Sequence, residues 1–445
     1  MRFLTLFSVL LLFFLSGCEQ SSQPPEQTTA APKAVQRSKV STGSGLFHQP
    51  ITPQLLELPD EALAYWRTAA VEKPALVLFS FDPLLKPIPS SLQQQARKLA
   101  LTGSPQQLRQ HGSINTAEPL ILPTQTVTAA LDAGMFSKLY WIFPSKVQPE
   151  QLDLAKFRSQ LLEKKIITAE EAAGINLLNG VYTGQIRGVP FEAVHYQRLR
   201  DIAGPLVLHI DTGFFRGLYD NEIKTPLYNL LRDTVDSLRA RNWQPSVTTL
   251  SYSTAEGAVS LDVRFVISNL AELMQNPALL DGDMPKEWQL RSEALYAGDM
   301  YSQSKQQQLA QQLVQVAPNS AAAHYDRFQA LFLDKRLEPA LQALQRAVAL
   351  DPGYAAAYLQ LARIAAKEGK PNKALKLLTP AEKQFPEYPF IPLQKAQLLT
   401  DIGQYATAEK YLSSLPQQWS PIYHANIPAV VAALQRRIAK GGESE

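Results

Sequence analysis

"ALQALQRAVALDP" (residues 340–352) and "ALKLLTPAEKQFP" (residues 374–386) begin 34 residues apart and share one pattern. Ala340 and Ala374 open them, Ala347 and Ala381 follow seven positions later, and Pro352 and Pro386 close them. The period extends further, because Ala408 continues the first alanine series and Pro318 precedes the prolines by the same interval. Residues seven apart share a helix face, so each segment predicts a helix with a stripe of minimal side chains where a second helix approaches closely. Proline cannot continue the helix and marks its end. A plain bundle has no reason to repeat at a fixed interval, so the C-terminal third predicts a stack of helix pairs.

This period, with small residues and a closing proline at these offsets, resembles the tetratricopeptide repeat. The resemblance covers residues 286–440, with repeats starting near 287, 321, 355 and 389. A capping helix follows in "NIPAVVAALQRRIAK" (426–440), and residues 441–445 form a tail. The first repeat has Gln306 where a small residue belongs, and the last has Pro416 well short of its register. Terminal repeats are often atypical because one of their faces must meet water. The resemblance implies an all-α solenoid that does no chemistry and holds a partner protein on its concave face.

At the other end, "MRFLTLFSVLLLFFLSG" (1–17) has one basic residue, an apolar run and small residues, the layout of an export signal. "LSGC" resembles a bacterial lipobox, which implies cleavage before Cys18 and its lipidation. Acyl chains would then hold the protein on a membrane without a spanning helix. Glu19, rather than an aspartate, after the cysteine favours the periplasmic face of the outer membrane by the sorting rule attached to that signal. Residues 18–45 are rich in Ser, Thr, Gln and Pro and predict a disordered tether. Cys18 is the only cysteine of 445 residues, so no disulfide can form within the chain and no cysteine-based catalysis is available. A net charge of +3 argues against nucleic acid as a partner.

Residues 46–285 alternate apolar runs with amphipathic stretches. "PALVLFSFD" (74–82), "KLYWIF" (138–143), "PLVLHID" (205–211) and "SVTTLSY" (246–252) predict buried strands, and "SSLQQQARKLALTG" a helix with a serine cap. "TPLYNLLRDTVDSLRARN" predicts a helix with a Thr225 cap and Pro226 at its first position. "VYTGQIRGVPFEAVHY" (181–196) predicts a hairpin decorating the domain, with His195 structural. Continuous apolar strands alternating with helices imply a three-layer α/β fold with a mostly parallel sheet. Sites in such folds form at the carboxyl ends of strands, where Asp82 and Asp211 fall.

"TQTVTAALDAGMFSKLYWIFPS", "FSFDPLLK" and "LVLHIDTGFF" resemble segments of the arginase/deacetylase-like (ureohydrolase) superfamily. That family's ligand loop reads Asp-x-His-x-Asp and its metal strand Ile-Asp-x-Asp. Residue by residue, Asp82 and Asp211 match carboxylate ligands, while Leu84, Lys86 and Gly213 stand where three ligands should be. The resemblance therefore implies a degenerate domain. Lys86 becomes a candidate to replace the lost metal's charge by pairing with Asp82 or Asp211, or else it simply points to solvent. His209 lies two residues from Asp211, on the same side of a strand. The pair admits three readings: half of a metal centre with Asp82, a relic of one, or an ordinary strand end with His209 bonded locally and Asp211 capping a turn. The six histidines form no HxH or HExxH pair, and no phosphate-binding glycine loop or GxSxG elbow occurs.

These readings add up to a lipid-anchored scaffold that binds another envelope protein through its repeats, with no catalytic residues and no cofactor. The alternative is a metal-dependent C–N hydrolase or deacetylase using zinc or manganese on an envelope substrate.

Overall fold

The computed structural model describes residues 45–252 and 261–442. The signal segment, Cys18, nearly all of the tether and the last three residues lie outside the described residues. All that is described belongs to one unit, Gly43–Glu445.

Among the described residues eight strands form one sheet: β1 (Gln54–Leu56), β2 (Ala75–Phe79), β3 (Lys138–Phe143), β4 (Asn176–Leu178), β5 (Val181–Ile186), β6 (Val189–His195), β7 (Leu206–Asp211) and β8 (Pro245–Ser251). Their order is β1-β8-β7-β2-β3-β6-β5-β4, parallel from β1 through β6, with β5 and β4 antiparallel at one edge. β2 and β7 are buried along their whole length, as their uninterrupted apolar character requires between two helical layers. Helices after β1, β2 and β3 pack on one face through Trp66, Ala96 and Phe157. Those after β7 and β8 pack on the other through Phe214, Leu231 and Leu270. The change of face follows from handedness. The chain moves one way across the sheet through β1, β2 and β3 and returns through β7 and β8, and right-handed crossovers then put the connections on opposite sides.

Four expectations need correction. The helix Gln93–Thr102 has no serine cap, because Leu92 stands at its N-cap and no side chain bonds there. β2 ends at Phe79, so Asp82 sits beyond the strand in a turn, where its Oδ1 accepts the Leu84 N–H at 2.8 Å. The hairpin does not decorate the domain, because β6 is a full member of the sheet, paired in parallel with β3. The helix Leu227–Arg239 is capped by Glu222, whose carboxylate accepts the Leu227 N–H at 3.0 Å. Thr225 instead accepts the Asp220 N–H at 2.8 Å. The three-residue strands β1 and β4 were not anticipated.

The helical region contains four antiparallel pairs: Lys286–Asp299 with Gln303–Val316, Ala321–Leu333 with Leu337–Leu350, Ala356–Lys367 with Pro371–Gln384, and Phe390–Asp401 with Tyr405–Ser413. A last helix, Ile427–Gly442, covers the end. Ala340, Ala347, Ala374, Ala381 and Ala408 are fully buried at the contacts between helices. Pro318, Pro352 and Pro386 each follow the second helix of a pair. The bulky Gln306 is accommodated by a glycine opposite it: a Cβ on Gly298 would lie 3.1 Å from the Gln306 amide.

Candidate functional site

The sheet has two places where neighbouring strands send their connections to opposite faces, β7 beside β2 and β1 beside β8. The carboxyl ends at such points are where α/β folds build sites. Here the two are filled differently.

At the first, β2 and β7 run in register to Phe79 and Ile210, which sets Ser80 beside Asp211. Asp211 is fully buried and caps the helix Thr212–Leu218, its Oδ1 accepting the Phe214 N–H at 3.1 Å. Its Oδ2 has no hydrogen-bond partner. Burial pushes this carboxyl up to about 7, against the moderating Ser80 hydroxyl and the Phe214 amide, and the nearby Asp82 carboxylate adds to the rise. His209 is also fully buried. Its Nδ1 lies 2.8 Å from the Thr249 hydroxyl, which also accepts the Trp66 indole N–H at 3.1 Å, and its ring meets Trp66 edge-on at 5.4 Å. Nε2 has no partner, and burial lowers the imidazole to about 3. A neutral histidine set between tryptophan and threonine is a core side chain.

His209 and Asp211 thus share a side of β7 but have separate local partners, one across to β8 and the other along its own chain. Among the described residues no group of three or more His, Cys, Asp or Glu side chains could hold a metal ion. The donor set does not fit zinc or manganese, which need several donors converging on one point. Lys86 is exposed, whereas Asp211 is fully buried. In this geometry His209 bonds a threonine side chain and Asp211 caps a helix. His195 is buried, with Nε2 3.0 Å from Val147 O. Two hollows lie away from this rim. One of about 40 Å³ is walled by Tyr228 and Trp288, and an open one of about 210 Å³ lies beside Thr68 and Ser246, at the amino end of β8.

At the second point the chain's own repeats occupy the crevice. Arg264 opens the helix Arg264–Gln275 after β8 and is 1% exposed. It forms a double hydrogen bond with Glu57, just past β1, at 2.9 and 2.6 Å, and another with Asp351 of the array at 2.6 and 2.8 Å. Its guanidinium lies 3.6 Å from the centre of the Tyr252 ring, just past β8. Burial opposes the charge of Arg264, but the two carboxylates outweigh it and hold its pKa above the ordinary value. A Cβ on Gly353 would lie 2.3 Å from the guanidinium, so glycine is needed there for close approach. A second buried arginine, Arg291 of the first repeat, donates to Asp326 at 2.9 Å, Glu287 at 2.8 Å and the Tyr228 hydroxyl at 3.4 Å. Tyr228 belongs to the α/β layer.

Sequence reading missed both arginines; for Arg264 the partners are remote, since Glu57 is 207 residues away and Asp351 is 87. One local signal existed. The residue before the closing proline is Ala317, Asp351 and Phe385 in successive repeats, and only the middle one is charged.

Residues 331–379 and 365–418 match the family model described as "Tetratricopeptide repeat". The C-terminal region is therefore built of tetratricopeptide repeats, a class whose members generally mediate contacts between proteins. A solved structure titled "Crystal structure of MamA" is similar at 23% identity over 32% of this chain and 83% of that chain, with a TM-score of 0.24. No curated protein matches the chain.

Proposed function

We propose that this protein is a lipid-anchored scaffold on the periplasmic face of the outer membrane, binding another envelope protein through its tetratricopeptide array. In this reading the α/β domain is a catalytically degenerate relative of the arginase/deacetylase-like superfamily and serves as a rigid base. The observation that carries the scaffold reading is the stack of four helix pairs, of which residues 331–418 match the repeat family. The degenerate reading is supported by Asp82 and Asp211 lying together at a switch point without the donors a divalent ion needs.

The test uses the full mature chain cross-linked in cells. Arg363 and Gln397 are exposed at equivalent positions 34 residues apart on first helices of successive pairs. The double variant Arg363→Glu, Gln397→Glu is expected to lose the partner that the parent and a Lys86→Glu control retain. Partner capture that ignores the array substitutions sinks the scaffold reading. Cys18→Ser is expected to move the protein from the membrane to the soluble fraction. Zinc or manganese bound at one ion per chain, and lost in His209→Ala and Asp211→Ala, would favour the metal-dependent C–N hydrolase instead.

A further inference from the structure

Pro318, Pro352 and Pro386 recur every 34 residues, and the next position in that series is Ser420. Proline has no amide hydrogen, whereas serine does. The Ser420 N–H donates to Ala117 O of the α/β domain at 2.9 Å. The departure from the repeat thus coincides with a contact that the repeat's own proline could not make. Around it, His424 Nε2 lies 2.9 Å from Thr116 O, and Gln125 Nε2 donates to the Tyr423 hydroxyl at 3.4 Å. Ser420 and His424 are each 6% exposed, and the His424 ring packs edge-on against Phe390 and Trp419.

The array is therefore fastened to the α/β domain at both ends, by unlike chemistry. Nearer its start the fastening is the buried ion pair of Arg264 with Asp351, between the second and third helix pairs, and the hydrogen bond from Arg291 of the first repeat to the Tyr228 hydroxyl at 3.4 Å. At its far end these hydrogen bonds all join groups that are neutral, because burial keeps the His424 pKa below its ordinary value. Neutral hydrogen bonds add much less net stability than buried charges lose when one partner is removed.

We propose that the turn Ser420–His424 is a latch that opens while the arginine end holds, giving the array a closed and an open state within one folded molecule. Opening uncovers the segment around Thr116 and Ala117 and frees the last helix pair to move. Ser420 in place of the repeat's proline is the residue that makes closing possible.

The test is hydrogen exchange on the full chain, comparing the parent with Ser420→Pro, which restores the repeat's own residue. His424→Phe is the second variant and keeps the ring packing while removing the nitrogen. Both are expected to speed exchange roughly tenfold at the Leu120 and Ile121 amides and in the helix Ile427–Gly442, about the effect of one lost hydrogen bond. Exchange in Ala321–Leu333 and Leu337–Leu350 is expected to stay as in the parent. Unchanged exchange at Leu120, Ile121 and the last helix overturns the latch. So does an equal rise through every repeat, which would mean the turn belongs to a single cooperative core. Should Ser420→Pro unfold the chain, His424→Phe decides by the same two criteria.

Discussion

Arg264 is buried with two carboxylates bound to its guanidinium, whereas Asp211 is buried with an oxygen that receives no hydrogen bond. Both sit at the carboxyl end of the same sheet, at points where its connections change face. Where the repeats fill the crevice, every charge has a partner supplied from another part of the chain. Where nothing equivalent arrives, the carboxyl is shifted towards its neutral form. A buried ionisable group survives either by acquiring counter-charge or by giving up its own charge, and this molecule does both.

The most severe way to break the comparison is Arg264→Met, which strands Glu57 and Asp351 beside an apolar chain. Removing one member of a buried pair costs about 3–5 kcal/mol, read as a fall in the urea midpoint. Asp211 sharpens it from the other side. Its pKa is raised on folding, so the unfolded chain gives up the proton near pH 4 and the native state only near pH 7. Stability from this group is present below pH 4 and is lost as pH rises to about 7. Asp211→Asn still caps the helix and removes that loss, gaining on the order of 2–4 kcal/mol over the parent at pH 7.5 relative to pH 4, from equilibrium unfolding at both. A gain that shrinks with rising pH would mean the carboxylate is held charged.

Within the array, Ala374→Leu should cost about 1–3 kcal/mol by overpacking a fully buried contact, with the midpoint again the readout. The smallest effect tests the helix start at Leu227. Thr225→Ala should cost under about 0.5 kcal/mol, because the N–H of Leu227 is bonded by Glu222, and Glu222→Gln should exceed it.

The repeats were legible because their signal is periodic: five alanines and three prolines fix helix, partner helix and register by local spacing alone. The α/β class was legible from the uninterrupted runs of β2, β3 and β7. What escaped was set by distant pairing. β1 has three residues and is a strand only because β8 lies beside it. The alternation that marked β5 and β6 as a hairpin says nothing of β3 on the far side of β6. At the candidate site, strand period correctly put His209 and Asp211 on one side. It could not show that Thr249 would engage the histidine, or that the next helix would turn the aspartate into a cap.

The sheet ends in β1 at one border and β4 at the other, each only three residues long. An uncovered border strand is a rail on which another chain can crystallise its backbone, and a rail this short holds too few rungs to seed such growth. Molecules crowded side by side should consequently stay individual, and concentrated preparations should remain clear rather than form fibres.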